Sequence, residues 1–139
     1  MTARAVWRMA DANGNRAAEG LRAAEDILRF LRDDARLSAE ARRLRHALRR
    51  EAGALAPPGK LLAARDARRD VGAGRHRGGQ PRRDWRGALA ANLRRAQEAA
   101  RVLEEVARLA GRGAGARRLQ RLRYAVYRLE AAALAPRRR

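Results

Sequence analysis

The stretches ANGNRAAEGLRAAEDILRF (residues 12–30) and ANLRRAQEAARVLEEVARL (residues 91–109) align without a gap at an offset of 79. Asn13 falls on Asn92, Arg16 on Arg95, Glu19 on Glu98, Arg22 on Arg101, Glu25 on Glu104, Asp26 on Glu105 and Arg29 on Arg108. A pattern that occurs twice at this period is a duplication; a solenoid needs about three or more units.

On a helical wheel of about 100° per residue, Ala17, Leu21, Ala24, Ile27, Leu28 and Leu31 share one side, as do Leu89, Ala96, Ala100, Leu103 and Val106. The apolar arc spans residues 2–31 and again 85–110, which predicts two long amphipathic helices. Each is followed by a second apolar helical pattern. Leu44-Arg45-His46-Ala47-Leu48 resembles Leu122-Arg123-Tyr124-Ala125-Val126, offset by 78. Ser38 and Asp84 are the expected N-caps, Gly53 and Pro57 close one helix, and Gly111, Gly113 and Gly115 separate the last two. The expected fold is all-α. One domain holds an antiparallel four-helix bundle made of two duplicated hairpins, about 2–56 and 84–134, joined by a long basic loop over 57–83.

Composition supports helix and narrows the setting. The chain is 46% hydrophobic with only 4% aromatic residues, so its core must be built from small aliphatic side chains. There is no cysteine, no apolar run near the roughly 20 residues of a membrane span, and no signal-like segment at residues 1–14. A protein of the cytoplasm, with no membrane partner, is the expectation. The net charge is +19, and all but one of the 34 basic residues (Lys60) are arginine. This points to an anionic partner, either nucleic acid or a phosphorylated small molecule, although a GC-rich coding bias also exchanges Lys for Arg. A homodimer is left open.

Two polar positions break the wheel. Asn13 and Arg16 fall within the apolar arc, and Asn92 and Arg95 repeat the anomaly. Burying such groups costs several kcal/mol, on the order of 2–7, unless they find partners. One explanation is an Asn pair fixing helix register with Arg–Glu pairs one turn apart. The other is a core that opens into a polar pocket for a carboxylate or phosphate. The column of Glu19, Arg22 and Asp26 reads as a solvated ion-pair face. The linker holds Arg65, Asp66 and Asp70, then a glycine-rich run with Arg75, His76, Arg77, Arg82 and Arg83. It reads as a disordered basic linker or as a lid over phosphates.

Several chemistries are excluded. GxxxxGK[ST], GxGxxG and HExxH are absent, and Ser38 is the only serine. Arginine, asparagine and carboxylates remain, which suits positioning and neutralising phosphate.

The runs DANGNRAAEGLRAAEDILRFLRDD, LRHAL, LLAARDARRDVG, ANLRRAQEAARVLEE and LRYAVYRLE, in this order, resemble one family over residues 9–130. It is the family of the helical domain found at the N-terminus of some thiamine-phosphate synthases and also as a separate protein, regarded as a hydroxymethylpyrimidine phosphate kinase. The resemblance implies transfer of the ATP γ-phosphoryl group to hydroxymethylpyrimidine phosphate, with ATP and Mg²⁺ as cofactors. A non-catalytic helical protein that binds nucleic acid or a thiamine-pathway partner through its basic surface is the alternative. Among the family-like positions, chemistry suggests Arg16, Arg65 and Arg95 for phosphates, with Asp66 as a further catalytic group. Asp66, Asp70 or Glu19 would hold the metal. Asn13 and Asn92 would bond the aminopyrimidine, with Glu19, Arg22, Glu98, Arg101 and His46 also at the substrate.

Overall fold

Three carboxylate or hydroxyl caps start three of the long helices. The computed structural model describes residues 1–74 and 79–136. Helix α1 (Ala3–Asp26) begins where Thr2 Oγ1 accepts from Ala5 N, and it continues through a π-helical turn over Ile27–Leu31. Helix α2 (Ala35–Gly53) is capped by Asp34, whose carboxylate accepts from Leu37 N at 2.9 Å. Short α3 (Lys60–Ala64) follows. Asp84 caps α4 (Trp85–Leu109) by accepting from Gly87 N at 2.8 Å, and α5 (Gly113–Leu134) follows. No strand occurs among the described residues. No helix there is long and apolar enough to cross a membrane.

Three sequence expectations are corrected. Ser38 is not a cap: it lies inside α2, and its hydroxyl donates to Ala35 O. The aspartate four residues earlier competes better, because a carboxylate accepts a backbone N–H in charge-assisted fashion. The linker is not continuous loop, since α3 forms within it. Gly113 and Gly115 belong to α5, and the turn before it rests on Gly111, which takes φ 70°. The Arg75–His76–Arg77 part of the basic linker and the tail at 137–139 lie outside the described residues.

Helix α1 packs on α2 and α4, α4 packs on α5, and α2 packs on α5. The α1–α4 pair is antiparallel: Glu19 meets Arg95, while the Arg32 guanidinium stands 5.1 Å over the Trp85 ring and also donates to Ala133 O. The close approach at this pair depends on Gly20. A Cβ at that position would stand 2.6 Å from Asn92 O. The helices share an apolar seam of Leu21, Leu28, Leu44, Leu48, Leu89 and Leu103, all fully buried, with Ala10, Ala17, Ala96 and Ala100 filling the narrow places. Each buried leucine contributes about 1.5–3 kcal/mol.

The seam is apolar, and the interior placement expected for Arg16 and Arg95 is not found. Both arginines are exposed. Their positions border the α1–α4 contact, and their long stems carry the charge out to water. The asparagines satisfy themselves locally: Asn13 Nδ2 donates to Met9 O and Asn92 Nδ2 to Ala88 O, each at 2.9 Å.

The buried charges are elsewhere. Glu104, fully buried, accepts from Arg123 Nε at 2.5 Å and from its Nη2 at 3.4 Å, while Arg123 Nη1 donates to Tyr127 Oη at 3.0 Å. Its hydrogen bonds to Glu104 hold the Arg123 guanidinium charged well above the usual arginine range, against the opposing effect of burial. Arg45 makes the equivalent bond to Glu25 at 2.9 Å. Glu25 and Glu104 are 79 apart and Arg45 and Arg123 are 78 apart, so one interhelical ion pair is built twice.

Candidate functional site

The segment after α3 is pinned to α1 by one bidentate pair. Arg65 Nε and Nη2 donate to the two carboxylate oxygens of Asp11, both at 2.8 Å, and this hydrogen bonding raises the Arg65 pKa. Asp66 Oδ1 then accepts from Arg69 N at 3.2 Å, and Asp70 Oδ1 from Gly72 N at 2.9 Å. Such Asx-type bonds fold a short chain without secondary structure. The folded segment stands off from α1 and leaves a cleft of about 640 Å³, walled by the N-terminal half of α1, residues 65–70, and Val102 of α4.

Arg8, Arg16 and Arg65 line this cleft, as do Asp11, Asp66 and Asp70. The equal counts do not cancel locally. Asp11 is committed to Arg65, and Asp66 lies within 4.0 Å of Arg4 and Arg69, outside the cleft lining. Among the described residues Arg8 and Arg16 have no carboxylate partner. Arg16 is instead steadied by Asn13, whose Oδ1 accepts from its Nη1 at 3.3 Å. Asn15 adds an amide to the same wall. Arg8 and Arg16, unpaired with any described carboxylate, share the cleft with Asp70 and amide groups and form a surface that can take an anionic, hydrogen-bonding ligand, phosphate above all.

The structure therefore brings together Asn13, Arg16, Arg65, Asp66 and Asp70 from the sequence candidates and separates the others. Arg95 donates to Glu19 at 3.2 Å on the α1–α4 border, away from the cleft lining. Asn92 is spent on its own helix. Arg22 pairs with Asp26 at 3.6 Å and faces a different groove, shared with Glu19. Arg101 pairs with Glu105 at 3.1 Å and Glu104 at 3.5 Å, and Glu98 and His46 are exposed outside the cleft. Of the metal candidates Asp66, Asp70 or Glu19, the first two line the cleft and Glu19 lies outside it, and among the described residues no three His, Cys, Asp or Glu side chains converge.

Sequence reasoning missed Arg8 and Asn15 in the cleft, and it missed the two buried ion pairs. Arg8 and Asn15 carry no signal of their own, since only the fold of residues 65–70 over α1 selects them. The ion pairs did carry one. A Glu and an Arg of the two helices in each hairpin recur at 20 and 19 residues' separation, Glu25–Arg45 and Glu104–Arg123.

The packing and the cleft define an all-helical protein, among the described residues, with a guanidinium-lined surface cleft. The chain belongs to the ThiD2 family, whose model matches residues 8–132. It is similar to a thiamine-phosphate synthase of Synechocystis sp., 44% identical over 133 residues, covering 94% of this chain and 36% of that one. A thiamine-phosphate synthase of Thermosynechococcus vestitus is 41% identical over 126 residues, covering 90% and 34%. One of Rhodopirellula baltica is 39% identical over 110 residues, covering 77% and 28%. The chain thus spans about a third of the length of the curated relatives it matches. No solved structure matches it.

The link to thiamine-phosphate synthases expected from the resemblance holds, and the kinase activity does not. The relatives are named as synthases, so γ-phosphoryl transfer to hydroxymethylpyrimidine phosphate, with its ATP and Mg²⁺, is without support. A non-catalytic binder of nucleic acid or of a pathway partner gains nothing from them either.

Proposed function

We propose that this chain is a ligand-holding helical domain of thiamine-phosphate synthesis in the cytoplasm, and that its cleft binds a phosphorylated pyrimidine. In this reading Arg8 and Arg16 receive the phosphate, and the Asn15 amide meets the ring's polar edge. Val102 and the side chain of Met9 supply apolar surface for the ring face. The observation that carries the reading is the pair of guanidiniums without carboxylate partners, one of them steadied by Asn13, at the mouth of a cleft of small-molecule size. The synthase names of the relatives, which share up to 44% identity with this chain, supply the pathway.

The fold belongs to the same proposal. It is an antiparallel four-helix bundle of two copied hairpins, supported by the twice-built Glu–Arg pair. The copies diverged around Arg16: Arg95 crosses to Glu19, whereas Arg16 stays by its own helix, where residues 65–70 cover that side.

The test is thermal denaturation of the full chain with hydroxymethylpyrimidine phosphate and, in parallel, with the unphosphorylated alcohol. Stabilisation by the phosphate ester alone is expected, about 2.7 kcal/mol at a hundredfold excess over Kd. No shift, or equal shifts with both, would refute the proposal.

A further inference from the structure

A second groove lies on the other side of α1, where it meets α2. It has a volume of about 470 Å³ and is lined by Ala18, Glu19, Arg22, Ala23, Arg45 and Arg49. The second hairpin holds different residues at the matching positions. At the 79- or 78-residue offset, Ala18 corresponds to Gln97, Ala23 to Val102 and Arg49 to Tyr127. Gln97 donates to Glu130 at 2.7 Å, and Tyr127 Oη accepts from Arg123, so the arginine there is satisfied three times.

In the first hairpin two small residues leave the space open, and a cation stands where the acceptor would be. Arg45 keeps one bond, to Glu25, and its Nε is shielded from solvent with no acceptor. Arg49 has no carboxylate partner among the described residues. The single carboxylate of the lining, Glu19, is engaged by Arg95. Arg22 pairs with Asp26 at 3.6 Å and Arg45 with Glu25, so the donors left for an anion are Arg49 and the unused capacity of Arg45 and Arg22.

We propose that the groove between α1 and α2 is a second anion site, distinct from the cleft beside residues 65–70, and that it takes a phosphate or diphosphate group held by Arg22, Arg45 and Arg49. Occupancy supplies the acceptor that Tyr127 supplies to Arg123 in the other half.

The probe is inorganic pyrophosphate, titrated calorimetrically into the full chain and its variants at fixed ionic strength. In an Arg16→Ala background, which removes the principal cation of the first cleft, one equivalent is expected to bind still. Adding Arg49→Tyr, which installs the residue of the other half, should weaken that binding by roughly tenfold or more, as for the loss of a charge-assisted contact. Ala23→Val should do the same by filling the groove. The exposed control Arg94→Ala should change it by less than about twofold, since a lone surface charge acts weakly. The proposal is overturned if Arg16→Ala alone removes all binding, if Arg49→Tyr is without effect, or if Arg94→Ala weakens binding as much. None of these outcomes depends on whether the first cleft binds a pyrimidine.

Discussion

Arg95 of α4 donates to Glu19 of α1 at 3.2 Å, joining two helices through residues 76 positions apart. Its counterpart Arg16 makes no such crossing and donates to Asn13 on its own helix. Arginines at matching positions of α4 and α1 thus serve different ends: Arg95 makes a surface ion pair, and Arg16 presents a cation to a cleft.

Exposure decides the energetic weight of these pairs. Arg95 and Glu19 are each more than half exposed, so Glu19→Ala should change stability by less than about 1 kcal/mol. Glu104→Ala should cost about 3–5 kcal/mol, because Arg123 would be left buried without its counter-charge. Urea unfolding of the two variants checks this, and equal losses would show that burial is not the deciding factor.

The α1–α4 distance depends on the missing Cβ at residue 20. Gly20→Ala would drive a methyl against the Asn92 carbonyl, which is backbone and cannot rotate away. The loss should be about 1–3 kcal/mol despite the better helix propensity of alanine. A gain in melting temperature would contradict the packing described.

The capping assignments separate in the same way. Asp84→Ala and Asp34→Ala should each cost about 1 kcal/mol, whereas Ser38→Ala should stay within about 0.5 kcal/mol. Chemical denaturation of the three variants distinguishes them.

Much of the helix content could be read from residue order because the helical period and the Asp84 cap pointed to the same elements. The arcs over 2–31 and 85–110 became α1 with its π turn and α4, and Asp84 caps as expected. The pattern did not say where a long side chain at the border of an apolar arc would end. Arg16 falls inside the arc by angle, but its guanidinium reaches solvent because the helices touch through Ala17 and Gly20. The site was half legible for a related reason. Arg16, Arg65, Asp66 and Asp70 were chosen by type, and the cleft holds all four. Arg8 and Asn15 needed a tertiary fact, the docking of residues 65–70 on α1 through Arg65 and Asp11. Glu19 lies in a different groove and against Arg95, because a position on a helix face does not reveal which neighbouring helix will claim it.

Arg65→Ala should loosen the segment rather than remove a cation from the ligand, since its guanidinium is committed to Asp11. Amide hydrogen exchange at residues 66–72 should rise, with the melting temperature of the helical body within a few degrees of the parent. Unchanged exchange there would show that the pair does not hold the cleft wall.

The most direct test of ligand binding is calorimetric titration of hydroxymethylpyrimidine phosphate into the parent chain, Arg16→Ala and Arg8→Ala. The parent should bind, with each variant weaker by roughly tenfold to a hundredfold and still folded by circular dichroism. Parent affinity retained in both variants, or no binding by the parent, would contradict the role given to the cleft.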